Sequence, residues 1–106
     1  MVEVILLETA QQELEKIAQL HRKLVGVHSA RRITDLILDT LDQLKQFPLS
    51  GAIPRDRELK NIGYRFAIAG KYICVYRLIG DVVYVYHIAY GASNYPKLFK
   101  RLLSDD

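Results

Sequence analysis

Cysteine occurs once, as Cys74, so the chain cannot close a disulfide on itself and nothing in its composition calls for an oxidising compartment. The residue sits mid-strand among apolar neighbours and reads as a buried, inert thiol rather than a nucleophile, which would need an electropositive, accessible setting. Histidine occurs three times, as His21, His28 and His87, without further ligand-type residues at ordered spacing, so neither a metal site nor a cofactor is expected. No apolar run is long enough for a membrane span, and the opening Met1-Val2-Glu3-Val4-Ile5-Leu6-Leu7-Glu8 carries acids where a leader peptide would be basic. The expectation is a cytoplasmic protein with no membrane partner. Repeats and low-complexity segments are also missing, and 106 residues that are 50% hydrophobic and 25% charged read as one globular domain over residues 1–106.

Charge excess is small at +3, so its placement matters more than its size. From Arg55 onward the cations Arg55, Arg57, Lys60, Arg65, Lys71, Arg77, Lys97, Lys100 and Arg101 outnumber the acids Asp56, Glu58, Asp81, Asp105 and Asp106. The C-terminal half is the basic half, which favours an anionic partner, nucleic acid or acidic peptide, through an attraction that salt weakens.

What the chain does contain is a block of tyrosine-rich, β-branched segments after Gly63. Tyr64–Ala69, Tyr72–Ile79 and Val82–Tyr90 are separated by Gly70-Lys71 and Gly80-Asp81, and two-residue connections containing glycine predict tight hairpins and an antiparallel meander. Alternation sets Tyr64, Phe66 and Ile68 against Arg65, Ala67 and Ala69, and puts Ile73, Val75 and Arg77 on one side of the second strand. In the third strand it groups Tyr84, Tyr86, Ile88 and Tyr90 against Val83, Val85, His87 and Ala89. Both faces of the last two strands are largely apolar, which points to helices over one face and a concave, partly aromatic, cationic surface on or near the other.

The first half supplies the helices. Residues 2–7 form a short apolar strand, and Thr9 with Gln12 has the spacing of a capping box. Leu14, Ile17, Ala18, His21, Leu24 and Val25 recur at helical spacing until Gly26, with His21 as a packed neutral histidine at the stripe's edge. A second helix runs from about Ser29, with Ile33, Leu36, Ile37, Thr40, Leu41, Leu44 and Phe47 on one face, and Pro48 ends it. His28 falls in the loop between the two. This half reads as scaffold. Residues 48–61 show no periodicity; their charged run is either a solvated loop or helical turn, or the lip of the basic face.

Phe47-Pro48-x-x-Gly51, then Gly63-Tyr64-Arg65, then Tyr72-x-x-x-Tyr76-Arg77-x-x-Gly80-Asp81-x-Val83-x-Val85, then Tyr90-Gly91-Ala92-Ser93-Asn94-Tyr95-Pro96 follow one another in an order that resembles the RelE/ParE family of type II toxin–antitoxin modules. The resemblance implies an α+β toxin built as strand, helical hairpin, three-stranded antiparallel meander and short C-terminal helix. It needs no cofactor and is held inactive by a cognate antitoxin that wraps it and covers its basic surface; operator DNA is reached only through the antitoxin. Two activities are implied: poisoning of DNA gyrase, as in ParE-like members, or metal-independent cleavage of ribosome-bound mRNA, as in RelE-like ones. A third reading is a degenerate member that only binds its antitoxin and co-represses its operon.

Cleavage would need cations around the phosphorane and a group to move the 2′-hydroxyl proton. Arg65, Arg77 and Lys97 would hold phosphate, and His87 or Tyr95 would transfer the proton. Arg55, Arg57, Lys60, Lys71, Tyr90, Lys97, Lys100 and Arg101 would contact nucleic acid or antitoxin. Each has a structural alternative: Arg77 as a strand-end cation, His87 as a hydrogen-bonded sheet histidine, Tyr95 as a packing residue, and the last cations as the polar side of a helix carrying Leu98, Phe99, Leu102 and Leu103. Where family nucleases carry arginines this chain has Ile73 and Ser93, and the arginine–aspartate pair of ParE-like members is Ser93-Asn94, with Tyr90 in place of a histidine. The reading leans away from ribonuclease.

Overall fold

A computed structural model describes residues 1–91; the expected C-terminal helix, with Tyr95, Lys97, Lys100 and Arg101, lies outside the described residues. In chain order the elements are β1 (Glu3–Leu6), α1 (Glu8–Leu24), α2 (Val27–Gln43), α3 (Arg57–Ile62), β2 (Tyr64–Ala69), β3 (Tyr72–Ile79) and β4 (Val82–Tyr90). The fold is α+β. The meander strands keep the boundaries that the glycine turns predict, because Gly70 and Gly80 adopt φ of 63° and 64° and reverse the chain where a side chain would be strained. Strand β1 returns parallel to β4, giving the order β1-β4-β3-β2.

Strand β3 is covered on both sides. Toward the helices, Cys74 and Tyr76 pack with Val83, Val85 and Ile88 against Ala10, Ile17, Ile37, Leu41 and Leu44. On the other side Ile73 and Val75 pack with Leu59 and Phe66. Each fully buried aliphatic side chain contributes about 1.5–3 kcal/mol of transfer free energy, which makes this strand the centre of the core.

Several local expectations are corrected. Thr9 is not a cap: α1 starts at Glu8 after Leu7, and no side chain caps it. Leu7 donates its N–H to the Val85 carbonyl at 3.0 Å, so the strand is tied down to the residue where the helix begins and leaves no room for a separate capping turn. Gln12 instead reaches the Glu8 carboxylate, and Gln11 donates to the Leu6 carbonyl at 2.8 Å. His28 is not in a loop but in the first turn of α2, since Gly26, at φ 136°, reverses the chain almost within one residue. Helix α2 stops at Gln43, before Phe47 can join its apolar face. Tighter three-residue bonds take over at Leu44, Lys45 and Gln46, the Lys45 carbonyl accepts the Val2 N–H, and Phe47 is left exposed.

The aperiodic stretch contains the short helix α3. Asp56 accepts the Leu59 N–H at 3.1 Å and Gly63, left-handed at φ 101°, closes the end. Upstream, Ala52 pairs with Phe66 through two backbone bonds and covers the outer edge of β2. The intervening loop is pinned by Tyr76, whose buried hydroxyl donates to the Pro48 carbonyl and accepts the Gly51 N–H, both at 2.9 Å. Gly51 is required there, because a Cβ would run into that hydroxyl.

Two outcomes follow from this packing. Tyr76→Phe should lower unfolding free energy by about 2 kcal/mol in a urea titration, since two buried backbone groups lose their partner. Burial pushes the Cys74 thiol up to about 12 from 9.0, so a disulfide reagent at pH 8 should label it only in denaturant. Because the folded thiol ionises later than the unfolded one, its contribution to stability is present below pH 9 and should be lost as pH climbs toward 12.

Candidate functional site

The hairpin register decides which side chains can meet. The Gly70-Lys71 turn places Ala69 opposite Tyr72 and therefore Arg65 opposite Tyr76 and Tyr64 opposite Arg77. Arg65 leaves the sheet with Tyr76, on the helix side; Arg77 leaves with Tyr64, on the other. The two arginines do not share a cleft.

Arg65 is held locally. Its Nη1 donates to the carbonyls of Leu49 at 3.0 Å and Gly51 at 3.1 Å, the same loop that Tyr76 grips from beneath. Burial raises the Tyr76 hydroxyl pKa above its ordinary value, an effect that the Gly51 N–H and the neighbouring Arg65 charge offset in part. Arg65 therefore acts as a loop clamp.

Arg77 has a different setting. Its guanidinium lies over the Tyr64 ring, 5.4 Å from the centroid, and Tyr64 meets Tyr86 edge to face at 5.3 Å. Tyr84 is its cross-strand neighbour on β4. The side chain is partly buried, and its Nε is shielded from water without a hydrogen-bond partner. A cation bedded on aromatic rings, with no carboxylate paired to it among the described residues, keeps its charge available to an incoming group.

His87 lies opposite Val75, two positions along β3 from Arg77. At Val75 and Tyr76 the β3–β4 register slips by one residue, so that Val75 faces His87 while Tyr76 faces Val85, and Tyr86 is the extra residue. This bulge corrects the strict alternation expected for β4: Ile88 joins Val83 and Val85 in the helix-side core instead of following Tyr84 and Tyr86. It also carries His87 to the outer edge of β4, beyond the end of β1, where the Glu13 carboxylate lies 3.3 Å from His87 Nδ1 and accepts the Ile88 N–H at 3.1 Å. A carboxylate on Nδ1 orients the ring and fixes its tautomer.

Next to this edge, Tyr90 is exposed and rests edge-on against Tyr72, with centroids 5.6 Å apart. Together with Ile17, Leu20, Ile88 and the charged side chains of Glu13 and Lys16, they line a mainly apolar groove of about 550 Å³ between α1 and β4. The Tyr72 hydroxyl is raised in pKa by burial and by Tyr90, and lies 3.0 Å from His21 Nε2, whose Nδ1 is 3.1 Å from the Ser29 hydroxyl. His21 is thus a hydrogen-bonded packing residue, as its place on the helix predicts. Lys71, Arg55, Arg57 and Lys60 are exposed, at the β2–β3 turn and around α3.

Sequence reasoning missed Tyr64, Tyr84 and Tyr86 as the bed for Arg77, although counting outward from the Gly70-Lys71 turn would have paired Tyr64 with Arg77. It also missed Glu13. No local signal joins that residue to His87, which lies on the far side of the chain and reaches it through the bulge.

The family model described as ParE toxin of type II toxin-antitoxin system, parDE, matches residues 4–95. No curated protein matches the chain by sequence. Among solved structures, the chromosomal ParDE toxin–antitoxin system from P. aeruginosa superposes with a TM-score of 0.72 at 18% identity, covering 86% of this chain and 97% of that one. The toxin–antitoxin complex RelBE2 from Mycobacterium tuberculosis superposes with a TM-score of 0.63 at 23% identity, covering 84% and 96%. At these identities the superpositions carry the fold.

The contrast between the two arginines is measurable. Arg65→Ala should cost about 1–2 kcal/mol in thermal or urea unfolding through loss of the loop carbonyl contacts, whereas Arg77→Ala should cost about 1 kcal/mol or less, the scale of one partly exposed cation–aromatic contact.

Proposed function

Because the chain belongs to the ParE toxin family of type II toxin–antitoxin systems, we propose that it is the growth-inhibiting member of such a module, neutralised by a cognate antitoxin, and that it acts by binding DNA gyrase rather than by cutting ribosome-bound mRNA. The observation that carries this reading is the parting of Arg65 and Arg77 to opposite faces of the sheet. Cleavage of a phosphodiester needs cations and a proton-transferring group gathered around one phosphorus. Here Arg65 is spent on loop carbonyls, away from Arg77, and His87 is engaged by the Glu13 carboxylate. What Arg77 offers is an aromatic-bedded cation of the kind that anchors protein interfaces, where Arg and Tyr are enriched. The apolar groove beside Tyr90 supplies a seat for antitoxin side chains, and the exposed Arg55, Arg57, Lys60 and Lys71 supply the charge that draws an acidic segment.

Induced expression separates the readings. Filamentation with an SOS response, intact transcripts, and inhibition of gyrase supercoiling by the purified chain are expected, and Arg77→Ala should relieve growth arrest without a change in melting temperature. Rapid translation arrest with mRNA cut on the ribosome would overturn the gyrase target, and unimpaired growth would leave only antitoxin binding.

A further inference from the structure

The helical hairpin carries a charge pattern that its role as scaffold does not use. Between Glu15 and Asp35 the chain contains no acid, while Lys16, Arg22, Lys23, Arg31 and Arg32 all fall within that span. The turn at Gly26 gathers Arg22, Lys23, Arg31 and Arg32 at one end of the hairpin, on the last turn of α1 and the first turns of α2, with Lys16 two turns further back on α1, and all are exposed. Among the described residues none of them enters an ion pair. The start of α2 has no acidic residue in its first turn and adds its own positive partial charge.

The same tip exposes apolar side chains that solvent does not favour. Leu24 and Val25 are each 74% exposed and Val27 60%, with Leu20 one turn earlier on α1 at 52%. Between the helices, on the flank away from the sheet, runs a groove of about 480 Å³ lined by Ala18 and Ala30, with Arg22 and Arg31 toward the tip and Glu15 and Asp35 toward its other end.

We propose that this tip is a second docking surface, for an acidic amphipathic segment of a partner protein whose carboxylates meet Arg22 and Arg31 and whose apolar side chains cover Leu24, Val25 and Val27. The charges select an anionic occupant, and the apolar residues select a protein segment over a phosphate backbone, which rewards cations but not buried leucine and valine. A second copy of the chain is disfavoured because it would bring two cationic tips together. The proposal does not depend on the target assigned above, since it concerns a binding event rather than growth arrest.

The test uses the full chain and a synthetic helical peptide with glutamates on one face and leucines on the other. Binding is expected to shift the amide resonances of residues 20–32, to weaken as salt is raised, and to fall at least tenfold in the Arg22→Glu, Arg31→Glu double variant. A Leu24→Ser, Val25→Ser variant should lose affinity as well, while melting temperatures stay unchanged in both. The proposal is overturned if a peptide with serines in place of the leucines binds equally well, if charge reversal leaves binding intact, or if duplex DNA or phosphatidylglycerol vesicles bind the tip and the acidic peptide does not.

Discussion

The phenol of Tyr76 is the constraint on which the arrangement depends. It lies fully buried at the middle of β3, and its only polar atom is satisfied twice by the backbone of the loop that follows α2. A buried hydroxyl without partners would cost on the order of several kcal/mol, so the core tolerates this tyrosine only with the loop in place, and the loop holds its course only with the tyrosine beneath it. Gly51 and Arg65 complete the joint, one by lacking a side chain and the other by capping two carbonyls from above. Because that loop leads through Ala52 to the edge of β2, the same contact also sets where the meander begins.

From this joint follows the division of labour between cations that sequence alone places on equal terms. On the helix side of the sheet Arg65 is half-buried and bonds the Leu49 and Gly51 carbonyls. Arg77, one position along on the neighbouring strand, emerges among tyrosines on the other face. Aromatic rings hold a cation in place without neutralising it, which leaves a positioned charge where a carboxylate partner would have quenched one.

The β4 bulge does similar work at the far edge. An extra residue turns Ile88 into the core and sends His87 outward, and Glu13 of α1 caps the strand edge that β1 is too short to cover. Capping an exposed strand edge with a charge is a common protection against unwanted pairing. The groove beside it draws on the same helix, so α1 has a face in the core and a rim that lines the groove.

How much of this was legible from the residues depends on the range of the forces involved. The meander boundaries, the helix-covered face, the burial of Cys74 and the likeness to a toxin family all rest on glycine turns and hydrophobic periodicity, which act over a few residues and are written locally. Even the pairing of Tyr64 with Arg77 was implicit in a two-residue turn. The helix ends at Thr9 and Phe47 were misjudged because tertiary hydrogen bonds to the Val85 and Lys45 carbonyls moved them, and the start near His28 because Gly26 reverses the chain within one residue. The Glu13–His87 contact and the clamp on residues 48–51 join segments far apart in the chain. Only closure of the fold brings such groups within bonding distance, and composition along the chain carries no record of that distance.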